Sequence, residues 1–173
     1  LLQLNLTNAT ATAGNFFNSG NTTATVFPIG SGDGQTNDSD GNSDTYIAYV
    51  WAEIEGFSKF GIYDGNGDAN GPYIHCGFKP AWVMVKRTDG GTEPWAIYDN
   101  VRDEAANPNN KGLYANDSAS QNDASGRYKD FLSNGFKVRG TSGEQNTDGG
   151  TYAFMAFADT TQYNLYGASS NPR

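Results

Sequence analysis

Thr45-Tyr46-Ile47-Ala48-Tyr49-Val50-Trp51-Ala52-Glu53 decides how this chain is read, because it returns as Thr151-Tyr152-Ala153-Phe154-Met155-Ala156-Phe157-Ala158-Asp159. Both versions are short, free of Gly and Pro, and apolar on both alternating faces, the pattern of a strand buried on two sides. Each follows an apolar strand start, Phe27-Pro28-Ile29-Gly30 in one case and Phe136-Lys137-Val138-Arg139-Gly140 in the other, and then a polar loop. A strand, loop, strand unit used twice is expected, with the two Thr-Tyr strands at equivalent central positions. An edge strand could not carry apolar residues on both faces without inviting other chains to pair with it.

Composition agrees with this. Twenty-two Gly, ten Tyr and ten Phe in 173 residues describe short strands joined by tight turns, an all-β composition. No window combines helical apolar spacing with start and stop signals, and residues 103–106 are expected to form one turn at most. A chain of this length can bury a core without covalent staples. The single Cys excludes an internal disulfide, and with one His it argues against a Cys/His zinc site. The net charge of −8 argues against a nucleic-acid partner, whose phosphates are bound by Lys and Arg. No run approaches the roughly 18 apolar residues that span a membrane, so no membrane partner is expected. The chain opens Leu1-Leu2-Gln3-Leu4-Asn5, with neither Met nor a signal pattern, and is expected to be a piece of a longer polypeptide.

Three regions are predicted. Residues 1–40 read as an N-terminal edge strand and polar connector, the remnant of a preceding repeat; residues 41–161 form the sandwich; residues 162–173 are a tail. Within the sandwich, strands are expected at residues 56–63, 73–77, 81–87, 95–99, 128–132 and 136–139, besides the Thr-Tyr pair. Thr88-Asp89-Gly90-Gly91-Thr92 and Ser133-Asn134-Gly135 are hairpin turns. Residues 103–126 read as a long surface excursion. The acceptor patterns at Asn5, Asn8, Asn21 and Asn116 are chance matches in a chain rich in Asn, Ser and Thr.

Four blocks carry a family resemblance: Gly77-Phe78-Lys79-Pro80-Ala81-Trp82-Val83-Met84-Val85-Lys86-Arg87, Trp95-Ala96-Ile97-Tyr98-Asp99-Asn100-Val101-Arg102, Phe131-Leu132-Ser133-Asn134-Gly135-Phe136 and Thr151-Tyr152-Ala153-Phe154-Met155-Ala156-Phe157-Ala158. In this order they resemble a lectin-like domain of tail and tail-fibre proteins of tailed bacteriophages, over about residues 40–173. The resemblance implies an antiparallel β-sandwich of the concanavalin-A-like or jelly-roll type in an extracellular virion protein, and it supplies no catalytic residues. The expected function is a non-enzymatic structural domain of a phage tail or fibre, with host-surface glycan and other virion proteins as partners and a homotrimeric parent. The alternatives are a secreted glycan-degrading enzyme on the same fold and a ligand-free subunit of an extracellular filament or surface layer.

Candidate chemistry is sparse. His75 and Cys76 are adjacent, so on a strand they point to opposite faces and cannot form a nucleophile and base. Glu53 and Glu55 share a strand face at about the separation of a glycosidase pair, yet Asp159 and Thr161 stand in their places in the second copy, which favours solvated strand-end acids. Asp38, Asp40, Asn42 and Asp44 alternate as the oxygen ligands of a tight Ca²⁺ loop do, and so do Asp64, Asn66, Asp68 and Asn70. Solubilising turns are the plainer account of both. For a glycan the candidate stacking residues are Trp95, Tyr98, Tyr63 and Tyr73, flat aromatic faces with a polar tip or edge. Trp51 and Trp82 alternate as core residues do.

Overall fold

Among the residues that the computed structural model describes (2–10, 23, 25–30, 45–103, 107–121 and 126–159), eight strands and one helical turn follow in order. They are β1 (Ser58–Asp64), β2 (Tyr73–His75), β3 (Pro80–Arg87), β4 (Ala96–Asp99), β5 (Gly112–Tyr114), β6 (Lys129–Leu132), β7 (Gly135–Val138), α1 (Gly143–Asn146) and β8 (Thr151–Ala158). The chain divides into a unit spanning Ala11–Trp51 and a unit built from Leu2–Thr10 and Ala52–Arg173; all these elements lie in the second.

The all-β sandwich expected from the sequence is present. One antiparallel sheet has the order β1-β8-β3-β4-β5, the other β2-β7-β6. The second Thr-Tyr copy, β8, sits between β1 and β3, with Tyr63 opposite Tyr152 on one side and Val85 opposite Phe154 on the other. Its burial alternates: Tyr152, Phe154 and Ala156 are buried, while Ala153, Met155 and Phe157 are half-buried on the outer face, where Phe157 meets Phe60 and Trp82. Ordinary half-buried antiparallel pairing therefore replaces the two-sided burial expected above. The core lies between the sheets, where Phe136 of β7 meets Phe154 edge-on at 5.5 Å and Tyr63 edge-on at 6.3 Å. Gly61 makes room for this cluster, since a Cβ there would stand 2.9 Å from Cε1 of its cross-strand neighbour Phe154. Both predicted hairpins form, β3–β4 and β6–β7.

Several expectations need correction. The first Thr-Tyr copy, residues 45–53, forms no strand, and Trp51 is exposed, not core. Residues 27–30 form no strand start, and residues 2–10 form no edge strand. The predicted surface excursion contains β5, which extends the large sheet by pairing with β4. A helical turn, α1, stands where only loop was read.

In place of an edge strand, the N-terminal residues lie across β3 and β4 through single hydrogen bonds. The Lys86 ammonium, fully buried on β3, donates to the carbonyls of Thr7 (2.9 Å), Arg87 (2.9 Å) and Glu93 (3.0 Å). Trp95 Nε1 donates to the Gln3 carbonyl and Thr10 N to that of Thr88. Replacing Lys86 by Met leaves three carbonyls without their donor, and the Thr7 side can recover water only by detaching. The expected result is a loss of about 1 kcal/mol together with faster proteolysis within residues 2–10; unchanged proteolysis would show that Lys86 is not the tether.

Candidate functional site

Two polar regions stand out in the sandwich unit, and burial separates their roles. The first is enclosed. Ser142 begins a single helical turn whose residues Glu144, Gln145 and Asn146 are fully buried. Burying such groups is tolerable only if each is paired, and the surrounding strands supply the partners. Tyr98 Oη donates to Glu144 Oε1 at 2.8 Å, Tyr114 Oη to Oε2 at 3.0 Å, and Arg127 Nε lies 3.1 Å from Oε2. Tyr63 Oη donates to the Gln145 carbonyl and Tyr152 Oη to that of Gly143. Lys129, fully buried, donates to Gln145 Oε1 and rests its ammonium 3.8 Å from the centre of the Tyr98 ring. Asn146 Nδ2 reaches the carbonyls of Asp68 and Gly140, and its Oδ1 accepts from Asn66 N. This cluster closes the end of the core, with Glu144, Gln145, Asn146 and Lys129 fully buried in it.

The second region is open. A groove of about 300 Å³ runs between β1, the last strand of the large sheet, and β2, the last of the small one, lined by Lys59, Phe60, Gly61, Ile62, Tyr63, Tyr73, Ile74, His75 and Phe154. Alternation on β2 buries Ile74 and presents Tyr73 and His75 outward on one face. The Tyr73 hydroxyl donates to the Asn134 carbonyl at 3.2 Å and lies 3.2 Å from His75 Nδ1, which fixes the Tyr73 ring. Ile62 is 73% exposed at the rim. Lys59 is held by Glu53 at 2.8 Å, and the same carboxylate accepts from Phe60 N; the Lys59 hydrogen bond, foremost, holds the Glu53 carboxyl below its ordinary range.

The predicted stacking residues divide. Tyr63 and Tyr98 are core residues with hydroxyls committed to α1, so neither can stack on a sugar. Trp95 is half-buried and tied at its indole N–H to Gln3 and at its backbone N–H to Asn116. Tyr73 alone of the four is exposed. Lys59, Ile62 and His75 join it without having been singled out as binding residues; the i, i+2 spacing of Tyr73 and His75 was the available signal.

The remaining candidates have structural explanations or fall outside view. Asp38, Asp40, Asn42 and Asp44 lie outside the described residues. The loop 64–70 folds on itself, Asp68 N bonding to Asn66 Oδ1 and Asn70 N to Asp68 Oδ1, with Asn146 as its anchor. No group of three or more potential metal ligands occurs among the described residues. Glu53 and Glu55 are exposed but not on a strand, so the shared strand face assumed for a glycosidase pair does not exist. His75 is exposed and Cys76 buried, as their opposite directions require, and burial pushes the Cys76 thiol up to about 12. No described helix is long and apolar enough to cross a membrane.

The sequence matches, over residues 1–161, a family described as a domain of unknown function, DUF7483. No curated protein and no solved structure matches it.

Proposed function

Since the chain belongs to the DUF7483 family, whose description assigns no activity, we propose from its own residues that it is a non-enzymatic sandwich domain of a phage tail or tail-fibre protein that holds host-surface glycan in the β1/β2 groove. The observation that carries the glycan reading is the pair Tyr73 and His75, fixed on a rigid strand and facing an open groove. A ring already held in place loses little freedom on binding, so more of its stacking energy appears as affinity. Hydroxyls of a sugar would find the Lys59 ammonium and the His75 ring at the rim. The tail-fibre reading rests on the four resembling blocks, which coincide with β3 and its approach, β4, the β6–β7 hairpin and β8, the frame that carries the groove. In this reading the domain is displayed outside the cell on the virion, beside other virion proteins, in a homo-oligomeric parent.

Tyr73→Ala is expected to weaken binding to host cells or their polysaccharide roughly tenfold, the equivalent of about 1.4 kcal/mol. The melting temperature should stay within a few degrees, because Tyr73 is outside the core. A glycan array that retains no ligand would discard the glycan reading and leave a structural subunit; release of reducing sugar would make the domain an enzyme.

A further inference from the structure

The groove between β1 and β2 is lined by Lys59 and His75 and by no carboxylate. A lysine and a histidine invite an acidic ligand, yet their hydrogen bonds argue against one. The Lys59 ammonium is already paired, 2.8 Å from one oxygen of Glu53, whose other oxygen accepts from Phe60 N on β1. An anion arriving at Lys59 therefore meets a charge of each sign, and the repulsion of one offsets much of the attraction of the other. The net charge of −8 on the chain repels it further. Lys137, opposite Tyr73 in the β2–β7 pairing, stands outside the lining, donates to the Gly71 carbonyl at 2.9 Å and has Asp130 opposite it on β6.

His75 presents a lone pair instead of a donor. The Tyr73 hydroxyl has one hydrogen, and the Asn134 carbonyl can only accept it. The Tyr73 oxygen is then the acceptor for His75, so in the neutral ring Nδ1 carries the proton and Nε2 the lone pair. No hydrogen bond to Nε2 occurs among the described residues. A sugar hydroxyl, which both donates and accepts, satisfies Nε2 and the Lys59 ammonium alike. A carboxylate has nothing to donate and sets its own lone pairs against Nε2.

We infer that the groove takes an uncharged sugar and that Glu53 is the residue that turns acidic sugars away. This inference rests on the glycan reading and narrows it to one chemical class.

The test uses the whole chain on an array where each neutral glycan is printed beside its carboxylated counterpart, uronic acid for hexose and sialylated for uncapped. Ligands of the groove are those lost with Tyr73→Ala. Each should be retained at least about tenfold better in its neutral form, and neutral binding should hold within about twofold from about 50 to about 500 mM salt, because no charge pair is being screened. Glu53→Gln keeps an acceptor for Phe60 N and leaves Lys59 without its counter-charge, so the preference for neutral over acidic should shrink at least about threefold. The acidic glycans gained should then be lost again as salt rises, which a carboxylate that merely braced the chain beside β1 would not bring about. Acidic glycans retained by the native chain as well as their neutral counterparts, or a preference unmoved by Glu53→Gln, would overturn the inference and leave the glycan reading standing. An array without any ligand that depends on Tyr73 would overturn both.

Discussion

Glu144→Ala is expected to destabilise the sandwich by about 3–5 kcal/mol, a large part of the whole stability of an ordinary domain. The carboxylate is fully buried and is the acceptor for Tyr98, Tyr114 and Arg127 together. Removing it strands a guanidinium that already has Nη1 buried without a hydrogen-bond partner, along with two phenol hydroxyls. The cost therefore comes from the charge left behind more than from the bonds lost. Urea titration checks this: the midpoint should fall with the slope little changed. The combined variant Glu144→Leu, Arg127→Met, Tyr98→Phe, Tyr114→Phe removes partners as a set and should recover much of the loss. If Glu144→Ala alone shifts the midpoint by less than the equivalent of about 1 kcal/mol, the cluster is not what closes the core.

Stability should rise by about 2 kcal/mol between pH 7 and pH 9, and Lys129 is the cause. Burial lowers its pKa to about 7, against the pull of the nearby Glu144 carboxylate. Because the folded value lies below the unfolded one of about 10.4, the unfolded chain holds the extra proton throughout this window, and folding must expel it. Raising the pH removes that penalty; below pH 7 the lysine is charged in both states and the penalty is constant. Above about pH 9 the trend should reverse, since burial holds the Cys76 thiol up at about 12 and also raises the buried phenols of Tyr63 and Tyr98, all groups that ionise more easily when unfolded. Denaturation at three pH values would show the rise. Lys129→Met should flatten it, and a slope that survives this substitution would assign it elsewhere.

The sequence by itself determined the fold class and most of the frame. Strands β1 to β4 and β6 to β8 announce themselves because alternation and turn residues are local properties: Tyr73 and His75 outward around Ile74, or Ser133 and Asn134 between two apolar runs. That Cys76 would be buried and His75 exposed followed from the same alternation. What no local rule supplies is the neighbour. Residues 45–53 and β8 have nearly the same propensities, yet only β8 lies between two strands, β1 and β3, that satisfy its backbone and cover its faces. Tyrosine is likewise ambiguous in one dimension, able to lie in a core or stand on a surface. The tertiary structure sends Tyr63, Tyr98 and Tyr152 inward because their hydroxyls meet the turn at α1, and leaves Tyr73 outside because it lies on the open side of β2. Gly143-Glu144-Gln145-Asn146 read as loop for the same reason: its three polar side chains, Glu144, Gln145 and Asn146, become interior only when Arg127, Lys129 and four tyrosines, from five strands and the approach to β6, converge on them.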